Sequence, residues 1–180
     1  MQTKTPNSIK RSNSSSRAGQ KPPTRTEVSA GGVVFQRTTH GPLIAFLLDP
    51  YNKWTFAKGH VNRAVGESLP NAARRETEEE MHLTSLTLHE RLGTAEIWFH
   101  DRYKHKGTLV HKYITYFLME APTGSVGYPQ LDELIHAVAW VPLSEALDFS
   151  SYENLGPVLQ KAIRRIEQMT KPSKPAVVAQ

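Results

Sequence analysis

Residues 59–83, with the sequence GHVNRAVGESLPNAARRETEEEMHL, are the part of the chain that decides its fold. The second half of this stretch predicts a helix over residues 69–81. Ser68 is a suitable N-cap residue, and Pro70 falls in the first helical turn, where proline is tolerated because the amide it lacks has no partner there. The first half contains glycine and polar residues and predicts a loop that leads into the helix.

The predicted helix carries an unusual arrangement of acidic side chains. At about 100° per residue, Glu76, Glu79 and Glu80 continue the stripe that begins with apolar residues, and only Glu78 lies on the far side. The apolar residues of that stripe are Leu69, Ala72 and Ala73. A solvated acidic face would lie opposite the apolar stripe, whereas like charges that face inward repel and are costly to desolvate. The pattern therefore predicts a bound cation, and oxygen-only ligands favour Mg²⁺ or Mn²⁺.

Stretches typical of β-strands surround this helix, because they are rich in β-branched, aromatic and other apolar residues and are separated by turn residues. Predicted strands occupy residues 28–36, 43–48, 54–61, 85–100, 108–120 and 134–142, and further helical patterns occupy residues 144–148 and 154–169. Strands mixed with a central and a C-terminal helix predict one α/β layered domain. We expect this domain over residues 27–170, followed by a loose tail at 171–180.

The positive charge of the chain is concentrated in residues 1–26. The formal charge is +5, from 22 basic and 17 acidic residues. Six basic residues and no acidic residue lie in residues 1–26, so 16 basic and 17 acidic residues remain and the rest of the chain has a net charge of −1. The segment is rich in serine, threonine, asparagine and proline, and we expect a disordered basic tail. Its charge would also fit a basic arm for nucleic acid. Because no aromatic residue is present for stacking on bases, we favour a solvated leader and expect no nucleic-acid partner.

Composition also excludes several classes of protein. The absence of cysteine excludes disulfide scaffolds, thiolate zinc sites and cysteine nucleophiles. The chain contains no run of about 18 apolar residues, so no membrane span is predicted. The N-terminus lacks the apolar segment of a secretory signal. We therefore expect a cytoplasmic protein without a membrane partner, and the sequence does not indicate its oligomeric state.

The spacing of charged residues in the opening stretch resembles the signature of the Nudix hydrolases, G-x5-E-x7-R-E-U-x-E-E-x-G-U, in which U is a bulky apolar residue. The matching positions are Gly59, Glu67, Arg75, Glu76, Glu79, Glu80 and Leu83. Seven residues rather than five separate Gly59 from Glu67, Thr77 replaces a bulky apolar residue and His82 replaces a glycine. None of these departures removes a carboxylate. We expect His82 to disturb the turn that ends the helix, because glycine adopts positive φ more readily.

The resemblance extends over residues 28–167, including the stretches SAGGVVF, WTFAKGH and AWVPLSEA. It implies an α/β/α sandwich around a mixed β-sheet, with residues 69–81 as the motif helix and a further C-terminal helix. It also implies divalent-metal-dependent hydrolysis of a diphosphate linkage in a nucleoside diphosphate–X substrate. Dinucleoside polyphosphates are the favoured substrates, and oxidised nucleoside triphosphates are the first alternative. Further alternative substrates are a diphosphoinositol polyphosphate and a capped RNA end. A different alternative is a protein that binds nucleotides without cleaving them.

The resemblance implies specific roles for the motif residues. Glu76, Glu79 and Glu80 are expected to hold the metal ions with the backbone carbonyl of Gly59, because metals neutralise the charge that builds on phosphoryl oxygens. Either Glu79 or Glu80 is expected to deprotonate the attacking water. Arg75 is expected to pair with Glu67 and to hold Glu76 in place.

Residues outside the motif complete the predicted site. Many relatives place one more acidic residue before the last sheet strand, and Glu133 is our first candidate, followed by Asp132 and Glu120. Lys58 and His60 are predicted phosphate contacts. The polar segment at 101–107 contains Arg102 and Lys104, which are predicted to bind a long phosphate chain. We expect Trp54 and Trp98 in the core.

Overall fold

A mixed sheet of seven strands forms the centre of the computed structural model, which describes residues 24–102 and 105–171. The strands are β1 (Thr24–Gln36), β2 (Leu43–Leu48), β3 (Trp54–Thr55), β4 (Ala57–His60), β5 (Thr87–His100), β6 (Leu109–Glu120) and β7 (Ala137–Pro142). The helices are α1 (Leu69–Met81), α2 (Ala146–Phe149) and α3 (Gly156–Thr170). Short 3₁₀ turns occupy Arg63–Val65, Leu131–Glu133, Leu143–Glu145 and Glu153–Leu155.

The long strand β1 organises the sheet, whose main order is β3-β2-β1-β6-β5. β1 runs parallel to β6 from the pair Thr24↔Leu109 to the pair Phe35↔Glu120. Along its other edge, β1 pairs antiparallel with β4 in its middle and with β2 at its end, and β2 in turn pairs with β7. Two strands therefore share one edge of β1, and β4 places the start of the motif beside the centre of β1.

Helices cover both faces of this sheet. Val33 and Phe35 of β1 belong to a core that includes the buried residues of α3. Ala30 and Val34, which alternate with them, belong to a second core that includes Ala72 and other buried residues of α1. Because successive side chains of a strand point to opposite faces, α1 and α3 lie on opposite sides of the sheet. The predicted α/β/α sandwich with a mixed sheet is therefore confirmed.

Helix α1 has the predicted bounds; a side chain caps its N-terminal end, and a residue in the left-handed conformation ends it. The Ser68 hydroxyl accepts a hydrogen bond from the amide of Asn71 at 3.4 Å. At the other end, His82 adopts the left-handed conformation with φ 48° and ψ 38°, and its Nδ1 lies 3.1 Å from the carbonyl oxygen of Tyr128. The expectation that His82 would disturb the terminating turn is therefore wrong, because histidine supplies the positive φ itself.

Several boundaries differ from the predictions. β1 begins at Thr24, so residues 24–26 belong to the sheet and not to the predicted tail, because they pair in parallel with residues 109–111. β7 begins at Ala137, because Leu134 has a φ of 59° and ends a 3₁₀ turn before the strand. The remaining tail residues, 1–23 and 172–180, lie outside the described residues. Within the described part of the chain, no helix is long and apolar enough to cross a membrane.

Candidate active site

The three predicted carboxylates of α1 do not share one environment. Glu76 and Glu80 are buried, with 8% and 4% of their surfaces exposed, whereas the Glu79 side chain is 49% exposed. Thr77 and Met81 are fully buried as well. The buried stripe is therefore centred about 50° from Glu76, and Glu79 lies roughly 110° from its middle. The prediction that all three carboxylates face inward is wrong for Glu79, because Thr77 and Met81 widen the buried face on the other side.

Glu76 lies directly against the backbone of β4. A Cβ atom built on Gly59 would come within 1.9 Å of Cδ of Glu76, so any side chain at this position would occupy the space of the carboxylate. Gly59 is held in place by its pairing with Ala30 of β1. Burial raises the pKa of Glu76 above its usual range, although the neighbouring Arg75 guanidinium opposes this rise.

Glu80 lies deeper and is bound to the next residue of the same strand. The amide of Lys58 donates a hydrogen bond to Oε2 of Glu80 at 2.9 Å. The pKa of Glu80 is raised to about 7, chiefly by burial and also by the negative charges of Glu133 and Glu76, against the lowering effect of Lys58. The site therefore gathers carboxylates whose negative charges disfavour one another, which is the property expected of a cation site.

The loop before β7 brings Glu133 to this cluster. The amides of Tyr128 and Gln130 donate hydrogen bonds to the carbonyl oxygens of Met81 and Glu80, at 2.8 and 3.2 Å, so the loop docks on the C-terminal end of α1. The 3₁₀ turn that ends at Glu133 follows directly.

Of the three candidates for the additional acidic residue, only Glu133 raises the pKa values of Glu76 and Glu80. Glu120 lies elsewhere, because its carboxylate accepts a hydrogen bond from Nε of Arg37 at 2.7 Å.

Arg75 connects the motif loop to the carboxylates of α1. Its Nε and Nη2 donate hydrogen bonds to the two carboxylate oxygens of Glu67, at 2.8 and 3.1 Å. Its Nη1 lies 2.8 Å from Glu76 and 3.0 Å from Glu79, and Nη2 also bonds to the carbonyl oxygen of His60 at 3.1 Å. The predicted contacts of Arg75 with Glu67 and Glu76 are therefore present, and Glu79 joins them.

The longer loop between Gly59 and Glu67 forms a closed turn. Asn62 and Glu67 exchange hydrogen bonds, because the amide of Asn62 donates to Oε2 of Glu67 at 2.8 Å and the amide of Glu67 donates to the carbonyl of Asn62 at 3.1 Å. A 3₁₀ turn at Arg63–Val65 takes up the extra residues. The hydrogen bonds from Arg75 and Asn62 lower the pKa of Glu67 to about 2.

A cavity of about 360 Å³, the main cavity, opens beside these carboxylates. Lys58, Glu80 and Glu133 line its polar side. Its opposite wall is apolar and aromatic, and includes Ile97, Ile114, Tyr116 and Tyr152. A pocket with an apolar wall and a few converging polar groups is the usual form of a small-molecule site.

Comparisons with known proteins identify the family of this chain. Residues 25–163 match the family model described as the NUDIX domain. The chain is 34% identical over 139 residues to the asymmetrical bis(5'-nucleosyl)-tetraphosphatase of Caenorhabditis elegans, and the match covers 74% of this chain and 93% of the relative. The chain belongs to the Nudix family.

Solved structures of two hydrolases have the same fold. A binary complex of the Caenorhabditis elegans Ap4A hydrolase superimposes with a TM-score of 0.62 at 25% identity, covering 79% of this chain and 98% of that one. The Escherichia coli dihydroneopterin triphosphate pyrophosphohydrolase superimposes with the same TM-score of 0.62 at 20% identity, covering 81% and 99% of the two chains, which supports the fold alone. Family and relative together assign the chain to the Nudix pyrophosphohydrolases.

Thr77 shows how this Nudix helix packs on the sheet. Its side chain is fully buried, and its hydroxyl donates a hydrogen bond to the carbonyl of Ala73 at 2.6 Å. A Cβ atom on Gly32 of β1 would come within 2.5 Å of the Thr77 hydroxyl oxygen. The helix and β1 are therefore so close that a small residue stands where the Nudix signature has a bulky one.

The predicted substrate-binding residues lie in different parts of the structure. Lys58 lines the main cavity, and His60 is exposed with its Nε2 3.1 Å from Oε2 of Glu27. Arg102 is exposed after the end of β5 and does not line the main cavity. Lys104 lies outside the described residues.

The two tryptophans differ in burial. Trp54 is half-buried and packs against the ring of Phe149, with 4.8 Å between ring centroids. Trp98 is 56% exposed and stacks on His111 at 3.7 Å between centroids. The expectation of a core position is therefore wrong for Trp98, because its ring packs on His111 and joins neither of the two buried cores.

Sequence reasoning missed Lys112 of β6. Burial lowers the pKa of its ammonium group, and the positive charge of Lys58 lowers it further. Lys112 alternates in step with the buried residues Val110, Ile114 and Tyr116. A lysine on the apolar face of a strand was the sequence feature that could have identified it.

Proposed function

We propose that this protein hydrolyses a diphosphate linkage within a dinucleoside polyphosphate, using Mg²⁺ or Mn²⁺. The observation that carries the proposal is the position of the buried Glu76 and Glu80 carboxylates beside Lys58, at the polar side of a cavity with an apolar wall. The substrate class is supported by the similarity to the tetraphosphatase of Caenorhabditis elegans.

The chemistry of the donor atoms fits a hard divalent cation, because only carboxylate and carbonyl oxygens are offered. We assign Glu76, Glu79, Glu80 and the carbonyl of Gly59 as the protein's ligands. Within residues 24–102 and 105–171, no three acidic or histidine side chains are gathered closely enough to hold a metal by themselves. When bound, the cation neutralises charge on the phosphoryl oxygens and orients the attacking water.

The remaining roles in the reaction belong to residues of the protein itself. Arg75 holds Glu76 and Glu79 through its ion pairs and is itself held by Glu67. Glu80 lines the main cavity, whereas Glu79 is exposed and bound to Arg75, so we favour Glu80 as the group that accepts the proton of the attacking water.

The second carboxylate at the polar side of the main cavity is that of Glu133. We propose that it assists Glu80 in orienting the water. We propose Lys58 as the cation that contacts the phosphates at the cleaved linkage, because its ammonium group is on the same side of the cavity.

The apolar wall of the main cavity provides a place for one nucleoside. The Tyr152 hydroxyl donates a hydrogen bond to Asp49 at 2.6 Å, and the same carboxylate accepts the amides of Tyr51 and Lys53, at 2.9 and 3.0 Å. These bonds fix the aromatic ring of Tyr152 in the wall. A volume of about 360 Å³ is at the lower end for small-molecule sites. We therefore propose that the main cavity holds one nucleoside of the substrate and not both.

The proposal is tested by hydrolysis assays with Mg²⁺, with Mn²⁺ and with a chelator. The panel comprises a dinucleoside tetraphosphate, a dinucleoside triphosphate, an oxidised nucleoside triphosphate and a nucleoside diphosphate sugar. We expect the dinucleoside polyphosphates to be cleaved fastest and the chelator to abolish cleavage. Preference for the oxidised triphosphate would replace the substrate assignment, and no turnover on any compound would leave nucleotide binding as the function.

Two variants of α1 make the test specific to the site. Glu80→Gln removes a buried carboxylate at the cavity and should lower kcat by about two to four orders of magnitude. Glu78→Gln changes a carboxylate of the same helix that does not line the cavity, and should leave kcat unchanged. Equal activity of both variants would contradict the assignment of Glu80.

We further propose a cytoplasmic location, which is compatible with a chain that has no cysteine and so needs no oxidising compartment. We also propose that residues 1–23 take no part in catalysis. Deleting them should leave kcat and KM unchanged, and a large loss of activity would make them part of the site.

A further inference from the structure

The loop at residues 126–134, which we call the Glu133 loop, buries few of its own side chains. Four of its apolar side chains are between 60% and 71% exposed, namely Val126, Tyr128, Leu131 and Leu134. The buried Ile135, which belongs to the core on the α1 side of the sheet, follows directly after the loop. Because little apolar surface of the loop is buried, its position depends on hydrogen bonds. One of these is donated by Nε1 of Trp140 to the carbonyl oxygen of Val126, at 2.6 Å.

The end of α1 holds the middle of the Glu133 loop through two backbone hydrogen bonds. The amide of Tyr128 donates to the carbonyl oxygen of Met81 at 2.8 Å, and the amide of Gln130 donates to the carbonyl oxygen of Glu80 at 3.2 Å. These carbonyls belong to the last turn of the helix, where no helical amide follows to bind them. The loop is therefore fixed to the same turn of α1 that carries the Glu80 side chain.

A short series of hydrogen bonds connects Glu133 to this turn. The carbonyl oxygen of Gln130 accepts hydrogen bonds from the amides of Glu133 and Ile135, both at 3.2 Å. Gln130 thus binds Glu80 through its amide and Glu133 through its carbonyl. The negative charge of Glu133 raises the pKa of Glu80, so the two carboxylates lie close enough to interact. The position of Glu133 relative to Glu80 therefore depends on how firmly residues 128–130 are held.

His82 adds a side-chain hydrogen bond to these backbone contacts. Its Nδ1 lies 3.1 Å from the carbonyl oxygen of Tyr128. Because a carbonyl oxygen can only accept, Nδ1 carries the hydrogen and donates it. Both backbone polar atoms of Tyr128 are then bound by consecutive residues at the end of α1, the amide by Met81 and the carbonyl by His82. The glycine of the Nudix signature could form the same turn but has no side chain for this bond.

We propose that His82 is a positioning residue for Glu133, which it holds beside Glu80 by fixing the Tyr128 carbonyl to the end of α1. This inference rests on the proposed function, because it gives His82 an effect on the step in which Glu133 assists Glu80. His82 acts through the loop alone, since its side chain is exposed and does not line the main cavity. The histidine that replaces a signature glycine thus supplies a hydrogen bond to a loop with few buried side chains.

Three substitutions separate the hydrogen bond from the shape of the backbone. His82→Gly removes the imidazole and keeps the positive φ, which glycine adopts readily. His82→Asn also tolerates positive φ, and its side-chain nitrogen is as many bonds from Cα as Nδ1 of histidine, so it can restore the donor. Ser85→Gly is the matched control, because Ser85 is exposed, has a φ of 58° and lies between α1 and β5.

Amide hydrogen exchange on the full chain tests this inference without turnover. In His82→Gly, the amides of Tyr128 and Gln130 should exchange about three- to tenfold faster, because the loss of a hydrogen bond favours opening of the loop. The amide of Thr77, in the middle of α1, should keep its wild-type rate. His82→Asn should restore the loop rates to within about twofold, and Ser85→Gly should not change them. Unchanged loop rates in His82→Gly, or equally faster exchange at Thr77, would overturn the inference.

A double-mutant cycle connects the hydrogen bond to Glu133. With a dinucleoside tetraphosphate, His82→Gly should lower kcat by about three- to tenfold and leave KM within about twofold, because the loop positions a group that acts after binding. In a Glu133→Gln background the same substitution should lower kcat by less than about twofold, since the carboxylate to be positioned is gone. Equal losses in the two backgrounds, or a loss that His82→Asn does not restore, would contradict the positioning role.

The two kinds of measurement separate this inference from the proposed function. A protein with the expected exchange rates that cleaves no nucleotide would keep His82 as the residue that positions the loop and would lose the proposed function. A protein that cleaves the dinucleotide at the same kcat with and without the imidazole would keep the proposed function and lose the inference.

Discussion

The carboxylate of Glu76 rests on the backbone of Gly59, so closely that a Cβ atom at Gly59 would lie 1.9 Å from Cδ of Glu76. The glycine that opens the motif and the glutamate in the middle of its helix are thus one structural unit. Gly59 is fixed by β1 and Glu76 by Arg75, so neither can move without disturbing the other.

Gly59→Ala should therefore displace the Glu76 carboxylate and weaken metal binding. We expect at least about a tenfold loss of Mn²⁺ affinity, measured by calorimetry, and a comparable loss of kcat/KM. Gly156→Ala is the matched control, because Gly156 has a helical φ of −48° and no atom within 4 Å of an added Cβ. Normal Mn²⁺ affinity in Gly59→Ala would contradict the role assigned to this contact.

Arg75→Ala should lower activity by about ten- to a hundredfold, because Glu67, Glu76 and Glu79 all lose the cation that positions them. Arg75→Lys should restore little, since a lysine cannot make the two parallel hydrogen bonds to Glu67. The neighbouring Arg74→Ala is the control, because Arg74 is exposed and does not line the main cavity. Kinetics of the three variants would decide; equal losses for Arg74 and Arg75 would count against the positioning role.

Acid should destabilise the fold partly through Glu67. Hydrogen bonds from Arg75 and Asn62 lower its pKa to about 2, from the ordinary value of 4.5. A carboxylate with a lowered pKa in the folded state stabilises that state above pH 4.5 and loses this contribution as the pH falls towards about 2. The free energy of unfolding should therefore decrease more steeply between about pH 5 and about pH 3 in the wild type than in Glu67→Gln. Urea denaturation at several pH values measures the two slopes, and identical slopes would refute the prediction.

Thr77 should not tolerate the bulky residue that the Nudix signature places there. Thr77→Leu forces extra atoms against β1 at Gly32 and should reduce the free energy of unfolding by about 1–3 kcal/mol. Thr77→Val keeps the shape but removes the hydroxyl that donates to the carbonyl of Ala73, and should cost about 0.5–1.5 kcal/mol. Chemical denaturation compares the two variants with the wild type. A stabilised Thr77→Leu would mean that the helix can move away from the sheet.

Local sequence patterns were sufficient to predict where the main helices and strands lie. The bounds of α1 and β2 were predicted to the residue, because the N-cap at Ser68 and the turn residues around the apolar run 43–48 act locally. The prediction failed where an element depends on residues far away in the sequence. Residues 24–26 look like tail, and they form a strand only because residues 109–111 pair with them.

Some features of the candidate site were likewise predictable from the sequence, and others were not. The resemblance to the Nudix signature was enough to name Gly59, Glu67 and Arg75. Helical spacing placed Glu76 and Glu80 together, since i and i+4 positions of a helix lie on one face. The exposure of Glu79 was not predictable from that spacing, because the burial of Thr77 and Met81 depends on how α1 sits against β1 and β6.

The sequence by itself determined the family, the motif helix and the identity of its carboxylates, because these depend on spacing along one continuous segment. Only the tertiary structure decided which acidic residue outside the motif joins them, through the docking of the 128–130 backbone on the end of α1. It alone placed Lys112 beside Lys58, since strand pairing brings together residues that are far apart in the chain. Contacts of that kind depend on the register of a whole sheet, which no local pattern of residues encodes.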